Sequence, residues 1–413
     1  MSSAIAPRLH AALVPGVTAA RYLDRYYRDG FDRSVRPAVV ELVQAVIRHR
    51  LPQQPAVLAE ERELEGEAAA TQAIIDTMAT FARRTYGHAT SERIGNTKTY
   101  GVVRGEFVVA GDLPERLKHG VFAQARTFPA WVRFGGPGPL APPDPRDNGI
   151  LSVGIKLMDV AGPKLLDDEQ RTQDFTGISS PTFTTPDVVE NVKLQRRLLQ
   201  ELPAFFFVDP RDSHLLDAVM QGLYSRMNTS RLEMSYWSCV PYLLGEGQAM
   251  RYAIHPRANQ RTPLPARPPA NYLRQAMART LAERPVEFDF RVQLQADPQR
   301  MLIENASVIW SERRSPPVTV ARLRLPVQQF DSPEQHAFAR TLSFQPWHSV
   351  YDHRPLGNQN RARRRIYSEL SKLRQEMNGD ARVEPDGSER FPSPARTPIP
   401  SNRGEQLGSH DRT

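Results

Sequence analysis

The stretch Gly357 to Met377, GNQNRARRRIYSELSKLRQEM, constrains this chain most. It has no proline, no glycine past its first position and good helix formers throughout, so it reads as one helix. At about 100° per residue, Arg363, Tyr367 and Arg374 fall within about 40° of one another. Ile366, Leu370, Leu373 and Met377 flank them. One face is therefore apolar and also carries a tyrosine between two arginines. A buried arginine is costly unless something anionic meets it. In the bland account the tyrosine packs at an edge and the arginines stay in water. In the sharper account an arginine one turn before the tyrosine stabilises a phenolate and lowers its pKa.

The chain has 413 residues, enough for one large domain or two ordinary ones. Its 36 prolines predict long irregular connections. Net charge is +8 with a pI near 9.7, which raises the question of nucleic acid. The arginines are spread along the chain, however, and no aromatic-basic recognition motif accompanies them. The charge is read as solubility plus anion-binding sites, with no nucleic-acid partner. A single cysteine, Cys239, excludes an internal disulfide framework. No apolar run approaches the ~18 residues of a membrane span. The N-terminus is broken by Pro7, Arg8 and Pro15 and does not read as a signal peptide, so a cytoplasmic location is expected.

Residues 1–85 read as a peripheral helical arm, with helix-period segments at Ala38–Arg48 and Ala56–Arg84 and a stripe of Ile74, Ile75, Met78 and Phe81. From about residue 97 the period changes. TKTYGVVRGEFVVAGDLP reads as strand, turn, strand. FPAWVRFGG, GILSVGIKLMDV, SYWSCVPYLLG, AMRYAIHP, VEFDFRVQLQA and VARLRLPVQQF read as further strands. A helix starts near Asp187 and another covers Leu215–Arg226. Strands in two groups around a helical insertion predict an α+β fold built on a large antiparallel barrel of about eight strands. That domain spans 86–378 and includes the helix at 357–378. Residues 379–413 read as a disordered tail.

The helix resembles the proximal haem segment of the catalase superfamily. That motif places an Arg four residues before a ligand Tyr, an acid two after it and a second Arg seven after it: here Arg363, Tyr367, Glu369 and Arg374. Ser368 stands where the family usually has Pro. SERIGNTK, at 91–98, resembles the segment of the distal histidine, with Arg93 and Lys98 matching and Asn96 at the histidine position. PAWVRFGG, at 129–136, resembles the strand that supplies a second propionate-binding arginine, Arg133. VGIKL at 153–157 and TQDFTGISSPTF at 172–183 resemble the next strand and the loop of the distal asparagine, with Ser179 in its place before Pro181. The segments run in family order over roughly 85–378. They are similar to the smaller, catalase-related branch, which includes allene oxide synthases. The resemblance implies haem b as cofactor and Tyr367 as axial ligand of the iron, since a phenolate ligates ferric haem. It also implies Arg363, Arg374, Arg93 and Arg133 around the cofactor, with Asn96 and Ser179 on the distal wall.

Catalase chemistry needs a base that moves a proton between the two peroxide oxygens. Histidine does this near neutral pH; asparagine cannot accept the proton. Gly95 stands where a β-branched residue is usual and is expected to open space above the iron. The leading expectation is therefore a hydroperoxide-processing oxidoreductase, a peroxidase or isomerase of organic (lipid) hydroperoxides, with weak catalase activity. Other readings are a haem-holding or sensing protein without turnover, a haem-free barrel, and an ordinary small catalase whose base is supplied elsewhere, His88 first. His348 and His353 are weighed as a metal-ligand pair against loop packing, and Asp167 and Asp168 as a solvated turn. Large catalases are tetramers with threaded arms, so the resemblance allows a homo-oligomer that no residue here requires.

Overall fold

In a computed structural model the described residues are 15–392, apart from 17–18, 53–55, 88, 137, 139–140, 147–148, 201–203, 210 and 260. His88 lies outside them. The strands are β1 (Thr99–Val109), β2 (Thr127–Gly135), β3 (Ser152–Leu157), β4 (Gln173–Ile178), β5 (Tyr236–Trp237), β6 (Tyr242–Leu243), β7 (Ala249–Pro256), β8 (Val286–Leu294) and β9 (Val318–Leu325). All pairings are antiparallel. They run β5-β4-β3-β2-β1-β9-β8-β7-β6, and a further β5–β7 pairing closes eight of the strands into a barrel.

The helices are α1 (Asp24–Ser34), α2 (Arg36–Arg50), α3 (Glu67–Tyr86), α4 (Val188–Leu199), α5 (Ala204–Val208), α6 (Leu215–Tyr224), α7 (Tyr272–Glu283), α8 (Pro333–Thr341) and α9 (Asn358–Asn378). Among the described residues no helix is long and apolar enough to cross a membrane.

Alternation fixes which strand faces turn inward. In β8, Val286, Phe288, Phe290 and Val292 are buried, while the residues between them are partly exposed. The interior is filled by rings: Phe175 lies 4.9 Å from Phe290 and 5.2 Å from Tyr252, and Phe107 lies 5.1 Å from Phe290. Truncating Phe175, 1% exposed, to alanine would cost about 3–5 kcal/mol.

β1 is one strand of 11 residues, not the two expected on either side of a turn. Its glycines serve packing instead. A Cβ on Gly101 would lie 2.4 Å from the Phe330 ring and 2.5 Å from the Met277 methyl. Conversely, SYWSCVPYLLG, expected as a single strand, is split into the short β5 and β6.

The N-terminal segment is not peripheral throughout. Ile74 and Ile75 of α3 share one apolar cluster with Val188 and Val192 of α4 and Ala362 and Ile366 of α9. α4 starts where expected, with the Asp187 carboxylate accepting from the Glu190 N–H at 2.9 Å.

The expected disordered tail departs from expectation up to residue 392. There the chain forms a strap across the barrel. Trp131 Nε1 donates to Glu389 at 3.0 Å, Arg104 donates to the Gly387 carbonyl at 3.0 Å, and the Phe391 ring packs 6.0 Å from Trp131 and 5.1 Å from Phe338. Residues 393–413 lie outside the described ones.

Candidate active site

α9 is set against the barrel before any of its functional side chains is placed. Its first turn is pinned by side-chain amides: Asn358 accepts from the Val188 N–H, Gln359 donates to Thr185 at 3.0 Å, and Asn360 donates to the Pro241 carbonyl at 2.8 Å. Arg361 ties the same turn to the segment before α3 and to the barrel. It pairs with Glu67 at 2.7 Å, Glu61 at 2.8 Å and Glu304 at 2.9 Å.

Three turns of α9 then present the expected residues. Arg363 is buried, donates to Asn360 Oδ1 at 3.1 Å, and stacks its guanidinium 5.1 Å over the Phe183 ring. Burial works against its charge, but the Tyr367 and Tyr242 oxygens outweigh burial and hold its pKa above the ordinary value. Tyr367 is half-buried, one turn on, and packs against the α3–α4–α9 apolar cluster.

Two turns beyond Tyr367, Arg374 reaches the segment that follows α8. Arg93 and Arg374 both donate to the Leu342 carbonyl, Arg374 at 3.2 Å. Arg133, from β2, donates to the Asn96 carbonyl at 2.7 Å and to Thr99 Oγ1 at 2.9 Å. Burial, reinforced by the Arg374 charge, pulls Arg133 down to about 9 and Arg93 well below its usual value. Burial also takes Arg374 to about 10. Glu92, and Asp380 for Arg374, offset this, but among the described residues neither forms an ion pair with the three. Arg374 Nε is buried with no partner. Among the described residues the fold thus concentrates positive charge with no carboxylate in ion-pair contact with it.

The other expected residues are placed less uniformly. Asn96 sits beside this cluster, held through its carbonyl, and its side chain makes no hydrogen bond among the described residues. Ser179 is buried after β4, with its Oγ accepting from Leu151 N–H at 2.9 Å. No hydrogen bond joins it to Asn96 or Tyr367 among the described residues. Gly95 adopts φ +105°, a glycine conformation. The Met78 methyl of α3 stands 3.6 Å from where a Gly95 Cβ would be. Only the apolar stripe Ile74–Ile75–Met78–Phe81 hinted at this in the sequence.

His348 and His353 do not pair as metal ligands. His353 Nε2 accepts from Val121 N–H at 3.1 Å at the barrel end. His348 Nδ1 lies 2.8 Å from Asp174. Glu169, Asp174 and His348 do converge within 4.8 Å, with metal-ligand chemistry. The Lys156 ammonium already lies against both carboxylates, at 2.9 Å from Asp174, and supplies the countercharge. Asp168 is likewise no simple solvated turn: it pairs with Arg382 of the strap and with His348 at 3.2 Å. The network anchors the chain entering α9, since the Asp174 N–H donates to the His348 carbonyl and the Gln345 N–H to the Asp174 carboxylate, both at 2.8 Å.

No family model matches this sequence, and no curated protein does. Solved structures do. A bacterial catalase is 14% identical, matched over 86% of this chain and 72% of that one with a TM-score of 0.52. A fungal catalase is 13% identical, matched over 88% of this chain and 80% of that one with a TM-score of 0.57. The fold is therefore catalase-like: a closed eight-stranded antiparallel barrel wrapped by helices.

Proposed function

We propose that this chain is a catalase-like haem protein acting on a hydroperoxide, with organic hydroperoxides favoured over hydrogen peroxide. One observation carries the reading. On a catalase-like barrel, Arg93 and Arg133 converge with Arg374, with no ion-pair partner among the described residues, beside the helix that carries the Arg363–Tyr367 pair. This donor set fits haem b. Its two carboxylates supply the missing anions, and charge-assisted hydrogen bonds to them contribute about 1.5–3 kcal/mol each. Tyr367 would hold the iron through its phenol oxygen, one helical turn from the Arg363 guanidinium.

Bound haem would supply the redox chemistry that breaks the O–O bond. The chain's own part is positioning. Asn96, with a free amide, orients a hydroperoxide oxygen by donation and cannot accept its proton. Proton relay is thereby weakened, which disfavours rapid hydrogen peroxide turnover.

The test is to add hemin to the protein, follow the Soret band, and compare consumption of a lipid hydroperoxide with oxygen release from hydrogen peroxide. Faster lipid hydroperoxide consumption supports the proposal; efficient oxygen release overturns the substrate preference. A second reading, haem held or sensed without turnover, is favoured by Met78 standing over Gly95. Stoichiometric haem with neither activity would select it.

A further inference from the structure

The loop between α5 and α6 meets the first turn of α4 through a second cluster of ligand-type side chains. Glu190, in that first turn, and Asp212 and His214, in the loop, each bring one ligand atom within 4.8 Å of the others. His214 Nε2 lies 3.0 Å from Glu190 Oε2 and 3.7 Å from Asp212 Oδ1. The imidazole is held in place from behind. Its Nδ1 stands 3.4 Å from the carboxylate of Asp217 in α6, which is buried and accepts from the Ser307 hydroxyl. Its ring stacks 4.2 Å from that of the buried Phe206, at an interplanar angle of 12°. A carboxylate at Nδ1 keeps a proton on that nitrogen and leaves the Nε2 lone pair facing the other two carboxylates. Nε2 and Glu190 Oε2 are buried atoms, and neither makes a hydrogen bond among the described residues. Two acceptors 3.0 Å apart repel each other unless a cation joins them.

One cation is already close. The Lys193 ammonium stands 2.8 Å from either Glu190 oxygen and 2.6 Å from Asp212 Oδ2. Its side chain is 43% exposed, whereas that of Lys156, between Glu169 and Asp174, is fully enclosed. A flexible four-carbon stem at the surface turns into water without moving the backbone, so this ammonium is exchangeable. We infer that Glu190, Asp212 and His214 form a binding site for a divalent metal ion of the Zn²⁺ type, which takes the place of the Lys193 ammonium. Ligands about 2.1 Å from a tetrahedral ion lie about 3.4 Å from one another. The two separations at His214 Nε2 bracket that value. One imidazole and two carboxylates are a donor set for zinc, and three protein ligands leave a fourth position for water. The site uses none of the residues assigned to haem, so the inference does not rest on that reading.

The experiment uses the full, untagged chain, stripped with a chelator and titrated with Co²⁺ in the absence of hemin. Co²⁺ stands in for Zn²⁺, and its visible absorption reports the coordination. The wild type binds one Co²⁺ per chain, which Zn²⁺ displaces. Asp217→Asn weakens binding by about 10–100-fold, as loss of a partner that orients a ligand histidine does, and His214→Ala weakens it further. Lys193→Met removes the competing ammonium and tightens binding by about 2–5-fold, the scale of an exposed ion pair that no longer has to be broken. A wild type that takes up no Co²⁺, or an affinity unchanged in His214→Ala, would overturn the assignment. Lys193→Met alters only a surface side chain and keeps the test decisive if His214→Ala does not fold. Weaker or unchanged binding in Lys193→Met would show that the lysine is a fixed member of the cluster, and would equally overturn the assignment.

Discussion

Arg93 and Arg374 donate to the same carbonyl oxygen, that of Leu342. Two guanidinium groups on one neutral acceptor, with Arg133 close by, are a standing repulsion in a largely buried place. Replacing one should therefore separate stability from cofactor retention. Arg374→Met should raise the stability of the haem-free protein, by about 1 kcal/mol on the scale of buried charges exchanged for apolar groups. It should also weaken haem retention by about 1.5–3 kcal/mol. Thermal melts of the haem-free protein and haem transfer to an acceptor protein check the two halves. A destabilised haem-free protein that keeps its haem would show that the cluster serves folding.

The distal prediction concerns Asn96. Introducing a proton acceptor with Asn96→His should raise oxygen release from hydrogen peroxide, by up to the 10²–10⁴-fold typical of a general base. Asn96→Ala should chiefly impair organic hydroperoxide turnover. Robust oxygen release by the wild type, unchanged in Asn96→Ala, would place the base on another residue.

His348 gives stability a pH dependence of definite sign. Burial and Lys156 oppose its charge, but Asp168 and Asp174 overcome them and raise its pKa. Its contribution is thus complete below the ordinary histidine value of about 6.5 and is lost as pH rises through the folded value. Between pH 6 and 8 the melting temperature of the wild type should fall with rising pH, and His348→Gln should flatten that slope. His255 and His353, lowered to about 4 chiefly by burial, act in the opposite direction between about 4 and the ordinary value of about 6.5, so the slope assigned to His348 is read above pH 7. An identical slope in the variant would remove His348 from the network.

The strap should be a measurable part of the fold. Phe391→Ala removes a ring packed on Trp131 and Phe338 and should cost about 1–3 kcal/mol, below a full core truncation because the ring is half-buried. Urea denaturation reads the loss, and proteolysis after residue 379 should accelerate. No change in either would mean that the strap adds nothing to stability.

Much of this architecture was legible in the sequence because it depends on local periodicity. The alternation in VEFDFRVQL and the unbroken helix at 357–378 are set by neighbours in the chain, and both elements form. The approach of Arg363 to Tyr367 follows from one turn of helix. What depends on distant partners was not legible. A turn was expected within TKTYGVVRGEFVVAGDLP because the rings and methyls that crowd Gly101 and Gly105 come from α7, β2, β9 and the segment before α8. Proline and charge after residue 379 read as disorder because the donors that meet that segment lie on β1, β2 and the loop before β4. The contact of Met78 with the loop of Gly95 was not legible because Met78 arrives from another element. Composition reports what a segment can do alone, and these segments are defined by what meets them.

The central claim is that Tyr367 holds haem, and the most direct measurement is hemin titration of the wild type beside Tyr367→Phe. Phenylalanine keeps the ring that packs against the α3–α4–α9 cluster and removes only the oxygen. The account predicts one haem per wild-type chain with a Tyr-ligated ferric spectrum, and an altered Soret band with weakened retention in the variant. An unchanged spectrum and stoichiometry in Tyr367→Phe would contradict it.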